Sequence, residues 1–255
     1  MIDGPLTNSA PLPLLELQPG SCWLVATPIG NLGDITLRAV SVLAQCDVVY
    51  AEDTRSARRL LQHFGLHKPT EAYHDHNKDR AVPRIIERLE NDEIVAVISD
   101  AGMPCVNDPG FTLVRALREA GRGWDVAPGP SSVLMGLVLA GFEPDRFLFA
   151  GYTPRKKGAR ARWLEELLAM DTTLILLESV HRIRSTLETL AELDATRELA
   201  VCREMTKLHE EVVRGTPAEL LTQITGRRLK GELVLLIRST SGMARASGRD
   251  EEPGS

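Results

Sequence analysis

The 255-residue chain has no pair of cysteines close enough to make a metal knuckle or a redox couple. Its four cysteines, Cys22, Cys46, Cys105 and Cys202, lie far apart and no C-x-x-C occurs, which excludes the zinc and thioredoxin-like motifs that need that spacing. Isolated thiols fit a reducing compartment, so a cytoplasmic location is expected. The opening residues lack the basic start and unbroken apolar stretch of a secretory signal: Asp3 comes early, and Pro5, Pro11 and Pro13 interrupt the residues after it. No apolar run approaches the roughly 18 residues of a membrane span; the longest, Val133 to Phe142, stops well short. Basic charge is not in excess either. Lys and Arg number 30 against 35 Asp and Glu, a net charge of -5, which argues against a wholly polyanion-binding surface but leaves room for a local basic patch. Neither G-x-G-x-x-G nor G-x-x-x-x-G-K-[ST] is present, so the common dinucleotide and P-loop folds are not indicated.

What is present is a globular balance, 43% hydrophobic and 25% charged, in an alternating pattern without internal repeats. Short apolar runs at Cys22–Ala26, Val48–Ala51, Ile94–Ile98 and Trp124–Ala127 read as buried parallel strands. Helical spacing comes after them, in Leu37, Val40 and Ala44 after a capping Asp34 or Thr36, in Val82, Ile85 and Leu89, and in Val114 and Leu117. This is the signature of an open parallel sheet with both faces covered. Farther on, Phe147–Gly151, Leu174–Leu177, Leu199–Cys202, Glu211–Arg214 and Glu232–Arg238 read as strands with fewer helices between them, which suggests a mixed sheet. Val180, Ile183, Leu187 and Leu190 mark a helix there. The expected organisation is α/β with two domains: a flexible leader over 1–20, an N-terminal domain with a parallel sheet over 21–142, a C-terminal domain with a mixed sheet over 143–240, and a disordered tail over 241–255.

Ligands of open parallel sheets bind at the carboxyl ends of the strands, and this chain places its unusual loops there. They are Thr27-Pro28-Ile29-Gly30-Asn31, Glu52-Asp53-Thr54-Arg55, Ser99-Asp100-Ala101-Gly102-Met103-Pro104 running on through Asp108 to Gly110, and Pro128-Gly129-Pro130-Ser131-Ser132. Glycine lets backbone approach a ligand and proline stiffens the loop. Ser131 or Ser132 can cap an apolar helix whose amino end suits a carboxylate. Any one of these loops also suits an ordinary strand-to-helix turn; four on one rim point to a cradle for a small ligand.

The same segments resemble the tetrapyrrole-methylase fold family, class III methyltransferases, and within it the branch that methylates ribosomal RNA at a cytidine 2′-hydroxyl. The segments are ATPIGNLGDITLRA (26–39), AEDTR (51–55), HDHN (74–77), SDAGMPCVNDPG (99–110), APGPSS (127–132), LLESVHR (176–182), CREMTKLHEE (202–211) and GELVLLI (231–237), so the resemblance runs from about Trp23 to Arg238. It implies a homodimeric cytoplasmic enzyme that holds S-adenosylmethionine between two α/β domains and acts on the decoding region of small-subunit ribosomal RNA. Carried over by position, it implies cofactor contacts at Pro28, Ser99, Asp100, Ala101, Gly102, Asp108, Pro128, Gly129, Ser131 and Ser132. From the second domain it implies Leu177, Glu178, Met205, Thr206, Gly231 and Glu232. Three positions depart from the family pattern: Met103 where Thr is usual, Thr153 where Leu is common, and Val180 where Pro often precedes His181.

For the chemistry, Asp53 is the first candidate to take a proton from the hydroxyl, because it ends a strand on the expected rim; capping of the next helix is the alternative. Arg55 suits an RNA phosphate or an ion pair with Glu52, and Lys207 is a candidate to act on the hydroxyl or to pair with Glu204. His74 and His76, two apart on a strand, would share a face as metal ligands do, but no third and fourth ligands are evident, and no metal is expected. Arg155, Lys156, Lys157, Arg160 and Arg162 form a basic stretch flanked by Tyr152 and Trp163, suited to an RNA backbone and to base stacking. Two other readings use the same cradle: methylation of a small tetrapyrrole precursor, which has no need of the basic stretch, and a non-catalytic cofactor-binding regulator.

Overall fold

A computed structural model describes residues 15–227 and 231–246. The described chain divides into two compact units, residues 1–131 and 132–255.

The first unit is built on a five-stranded sheet, in the order β3-β2-β4-β1-β5, from β1 (Cys22–Val25), β2 (Val48–Ala51), β3 (Thr70–Ala72), β4 (Val95–Ile98) and β5 (Trp124–Ala127). Every pairing is parallel. Val25 is level with Ile98 and Ala127, and Ala51 is level with Ile98 and Ala72, so all five strands stop on one line. Both faces are covered, which is why β2 and β4 are apolar at every position. On one face α1 (Leu37–Gln45) and α2 (Thr54–His63) pack Val42, Leu43, Ala57, Leu60 and Leu61 against Val49, Ala51, Ala96 and Ile98. On the other, α3 (Lys78–Glu90) and α4 (Phe111–Glu119) pack Ile85, Leu89, Leu113 and Leu117 against Tyr50, Val95 and Val97. The edge strand β3, TEA, carries no apolar run and gave no sequence signal. It is held by register with β2, by Tyr50 Oη donating to Glu71 at 2.9 Å, and by Arg88, which reaches Tyr50, Glu71 and Glu93.

The second unit carries a mixed sheet in the order β6-β7-β10-β8-β9, from β6 (Phe147–Tyr152), β7 (Thr173–Ser179), β8 (Leu199–Arg203), β9 (Glu211–Gly215) and β10 (Glu232–Ile237). Only β6 and β7 are parallel; β10 runs against both neighbours. The helices α6 (Lys157–Leu168), α7 (Ile183–Leu193) and α8 (Pro217–Ile224) supply Leu164, Leu187, Leu190 and Leu220 to one face. A capping box between Thr216 and Glu219 starts α8. Val180 precedes α7 instead of lying in it, because the chain turns at Ser179–Arg182 before the helix begins.

The units divide at 131/132, ahead of the expected 142/143. The reason is α5 (Ser132–Ala140), which packs on the second sheet. Gly136 lies so close that a Cβ there would come within 3.2 Å of Val234, and Arg214 Nε donates to Ala140 O at 2.8 Å. Most of the expected leader, 1–14, and the end of the expected tail, 247–255, fall outside the described residues. The start of that tail is not disordered but forms α9 (Thr240–Ala246), anchored by Asp171, which accepts from Thr240 Oγ1 and Ser241 N. Among the described residues no helix is long and apolar enough to cross a membrane.

Candidate functional site

Because the strands of the first sheet end level, the residues just beyond them stand side by side: Thr27-Pro28 after β1, Glu52-Asp53 after β2, His74 just past β3, Ser99-Asp100 after β4 and Pro128-Gly129 after β5. Hydrogen bonds lock these loops together. Thr27 and Gly102 exchange backbone bonds of 2.9 and 3.0 Å, Thr27 Oγ1 donates to Ser99 O at 3.1 Å, and Ser99 Oγ donates to Gly102 O at 3.0 Å. Thr36 Oγ1 donates to Pro128 O at 3.1 Å. Gly102 has φ +82° and Gly129 lies where a Cβ would come within 2.8 Å of Ala26, so each must be glycine for a different reason, conformation in one case and close approach in the other. Ala101 is half-buried beside Gly102, and Asp108 lies in the turn that leads to Gly110, where Cys105 and Asn107 have φ of +72° and +65°. Backbone held in that region by side-chain-bearing residues is stored strain, which gathers at functional loops. A cavity of about 230 Å³ opens on the α1–α2 side of this rim, between Thr27, Pro28, Ser56, Leu60, Ser99 and Asp100. Ser131 closes the first unit and Ser132 opens α5.

In the second sheet the register brings another set of loops to one edge. Tyr152 is opposite Leu177, Ser179 opposite Glu232, Leu233 opposite Arg203, and Arg203 opposite Glu211. Leu177, Glu178, Met205, Thr206, Gly231 and Glu232 therefore share that edge, with the basic 155–157 segment at the end of β6. Gly231, at φ +85°, leaves no room for a side chain beside the Glu204 carboxylate. The turn after β8 is strained, with φ +51° at Glu204 and +66° at Thr206. A β-branched residue there is a true outlier. The Thr206 hydroxyl is buried and has no hydrogen-bond partner, while Glu210 accepts from the Thr206 backbone N–H at 2.6 Å. An unpaired buried hydroxyl in a strained turn is what a polar ligand would satisfy.

Several expected roles are already occupied. Asp53 is the N-cap of α2: its Oδ1 accepts from Arg55 N at 2.8 Å and Arg55 Nε at 3.1 Å, and its Oδ2 from Arg55 Nη2 at 2.9 Å. The Arg55 guanidinium, with the backbone N–H beside it, holds the Asp53 carboxyl down to about 2, which makes it a poor proton acceptor. Arg55 accordingly pairs with Asp53, not Glu52, though its side chain is 82% exposed. Lys207 Nζ is bound to Glu204 at 2.9 Å. Glu178, expected at the cofactor, has a fully buried side chain whose carboxylate is saturated by Thr153 Oγ1, Thr186 Oγ1 at 2.7 Å, Ser179 N at 2.8 Å and Arg182 at 2.9 Å. Thr153, the departure noted in the sequence, therefore has a partner that Leu could not provide. Arg160 is 4% exposed and its Nε reaches Thr189 Oγ1 at 3.3 Å, which removes it from any RNA surface; Arg155, Lys156, Lys157 and Arg162 are exposed, with Lys157 paired to Glu192. Trp163 is half-buried against the core. His74 and His76 lie in a turn and not on a strand, with ring centroids 6.0 Å apart. Asn77 pins that turn by accepting from His74 N and donating to Ala72 O, both at 2.8 Å.

One residue was missed. Glu52, next to Asp53, is half-buried, and among the described residues its carboxylate makes no hydrogen bond or ion pair. Burial, and then the neighbouring Asp100 and Asp75, raise its pKa. The signal was available: of two acids between a strand and a helix, the one next to the helix is the cap.

The family pattern of Tetrapyrrole (Corrin/Porphyrin) Methylases matches residues 21–221. The chain belongs to that family. Within it, the chain is 44% identical over 226 residues to ribosomal RNA small subunit methyltransferase I of Xylella fastidiosa, covering 88% of this chain and 83% of the relative. It is 43% identical over 235 residues to the protein of the same name from Haemophilus influenzae, covering 91% and 82%. With that of Bacillus subtilis it shares 37% over 222 residues, covering 87% and 76%. The fold is that of a uroporphyrin-III C-methyltransferase from Thermus thermophilus, with TM-score 0.61 at 21% identity over 91% of this chain and all of that one. It is also that of a cobalt-precorrin-4 methyltransferase, with TM-score 0.65 at 18% identity over 86% and 95%.

Proposed function

We propose that this methylase transfers a methyl group from S-adenosylmethionine to the 2′-hydroxyl of a cytidine in the decoding region of small-subunit ribosomal RNA, as a cytoplasmic homodimer. The observation that carries the reading is the similarity, over most of both chains, to relatives named ribosomal RNA small subunit methyltransferase I. When bound, the cofactor supplies a methyl group on a positively charged sulfur. Candidate holders in the first unit are Pro28, Ser99 to Gly102, Asp108, Pro128, Gly129 and Ser131. In the second they are Ser132, Leu177, Met205, Thr206, Gly231 and Glu232. Gly102 and Gly129 let backbone come close, and the unpaired Thr206 hydroxyl offers a hydrogen bond. Arg155, Lys156 and Lys157, exposed at the end of β6, suit the phosphates of the RNA. Positioning and exclusion of water supply much of the acceleration in such reactions.

The test is to incubate the purified protein with isotope-labelled S-adenosylmethionine and small subunits that lack the modification, then map the label. Methyl on a single ribose of the decoding region is expected. Label on a nucleobase or a tetrapyrrole precursor, or none on the subunit, would overturn the proposal.

A further inference from the structure

We propose that Glu52 is the group that takes the proton from the attacking hydroxyl, and that Asp53 serves to hold the loop from which Glu52 acts. This rests on the methyl-transfer reading above and adds the residue that reading lacks.

The position is set by topology. After β2 the chain crosses outward to β3; after β4, the neighbour of β2, it crosses the opposite way to β5. Connections that diverge from adjacent strands leave a crevice at their carboxyl ends, and in open α/β sheets that is where ligands bind. Glu52 is the first residue beyond β2, and Asp100 the second beyond β4. Side chains alternate along a strand: Ala51 belongs to the core under α1 and α2, Tyr50 to the core under α3 and α4, so Glu52 falls on the Tyr50 side of the crevice. The backbone around it is fixed, because Asp53 N donates to Asp100 Oδ1 at 3.0 Å and Asp53 caps α2. The titratable groups facing Glu52 are Asp100 from the β4 loop and Asp75 and His74 from the β3 loop. Asp75 is bound to Lys78 at 3.2 Å. His74 keeps a buried Nδ1 without a partner, so a second polar atom on this rim is unsatisfied.

Two carboxylates one residue apart are thus driven in opposite directions: a guanidinium depresses Asp53, and burial with like charge raises Glu52. Environments that separate a pair in this way mark which member exchanges protons. In the step itself, a lone pair of the hydroxyl oxygen forms the O–CH3 bond while the S–CH3 bonding pair stays on sulfur and cancels its charge. The O–H proton passes to a Glu52 carboxylate oxygen and leaves from there to water.

The experiment uses the full chain and subunits lacking the modification. Wild-type protein must first label a ribose; if it does not, the methyl-transfer reading falls and this proposal with it. Given that label, Glu52→Gln is expected to lower kcat by about a hundredfold or more, the usual range for a lost general base, and to abolish the acid limb of the kcat–pH profile. Dissociation constants for S-adenosylmethionine by calorimetry and for the subunit by filter binding, measured without turnover, should stay within about twofold. Glu52→Asp should restore part of the rate and the acid limb, and decides the matter if the Gln variant does not fold. Asp53→Ala should melt earlier, through loss of the cap, and keep the acid limb. The proposal is overturned if Glu52→Gln retains kcat within about threefold, if it keeps the acid limb, or if cofactor or subunit affinity falls in step with its rate.

Discussion

Replacing Thr186 by Val preserves the shape of a fully buried side chain and deletes one donor, the hydroxyl 2.7 Å from Glu178 Oε2. The acceptor is a carboxylate with no exposed side-chain surface, so the lost bond is of the charge-assisted kind, about 1.5–3 kcal/mol. A loss of about 2 kcal/mol for the second unit, residues 132–255, lowers its melting temperature by about 8 °C, taking about 4 °C per kcal/mol for a unit of this size. Removing the carboxylate by Glu178→Ala strands Arg182, Thr153 and Thr186 together, and breaking a buried pair in this way costs about 3–5 kcal/mol. The two effects are not additive. In a Glu178→Gln background the Thr186 hydroxyl faces a neutral amide, and Thr186→Val should then cost less than about 1 kcal/mol. Urea unfolding followed by Trp163 fluorescence, with Trp23 and Trp124 changed to Phe, reports on the second unit alone. A Thr186→Val effect below about 0.5 kcal/mol, or the same effect in both backgrounds, would refute the assignment of a saturated buried carboxylate.

The same geometry sets other outcomes. Arg160→Met should leave affinity for RNA unchanged, because the side chain is buried, whereas neutralising Lys156 should flatten the salt dependence of RNA binding by about 0.7 log units per lost phosphate contact; equal effects in a filter-binding titration would return Arg160 to the surface. Thr206→Val removes an unpaired buried hydroxyl, so the protein without cofactor should lose no stability, while calorimetric affinity for S-adenosylmethionine drops about tenfold, one ordinary hydrogen bond. Gly102→Ala must place a side chain at φ +82°, at about 1–2 kcal/mol, and should weaken cofactor binding as well as thermal stability. Burial lifts the Cys22 thiol to about 12 and the Cys46 and Cys202 thiols to about 11, from 9.0. A raised folded-state value favours the protonated form, so this stabilising effect is whole below pH 9 and is lost between about pH 9 and 12. Denaturant midpoints should decline over that range, and a flat profile would contradict the burial.

Much of the architecture was legible because the strands of a doubly covered sheet are unbroken apolar runs, as in VVYA and VAVI, and the loops after them are rich in Gly, Pro and Asp. The edge strand β3 was not legible, since TEA is held by polar contacts to Tyr50 and Arg88 that lie far off in sequence. The compact units divide at 131/132, where the sequence suggested 142/143, for a related reason. An all-apolar helix such as SVLMGLVLA does not say which sheet it will cover; Gly136 against Val234 decides that. Residue type located the candidate site but not the use of each side chain. Asp53 and Glu52 look alike in the sequence until the cap is formed, Arg160 looks like its exposed neighbours until α6 turns it inward, and Glu178 looks available until three hydroxyl and amide donors and a guanidinium converge on it.

The order β6-β7-β10-β8-β9 sets a timetable for synthesis. During translation the first unit has all its strands early, while the second exists as two ribbons, β6 with β7 and β8 with β9, each exposing an open edge where its neighbour is missing. The strand that joins them emerges last of the ten, so both edges stay open to wrong partners until β10 slots in. A nonsense codon between Gly215 and Glu232 would release a chain with a finished first half and a gap in the middle of its second sheet, a product suited to proteolysis or aggregation and not to partial activity.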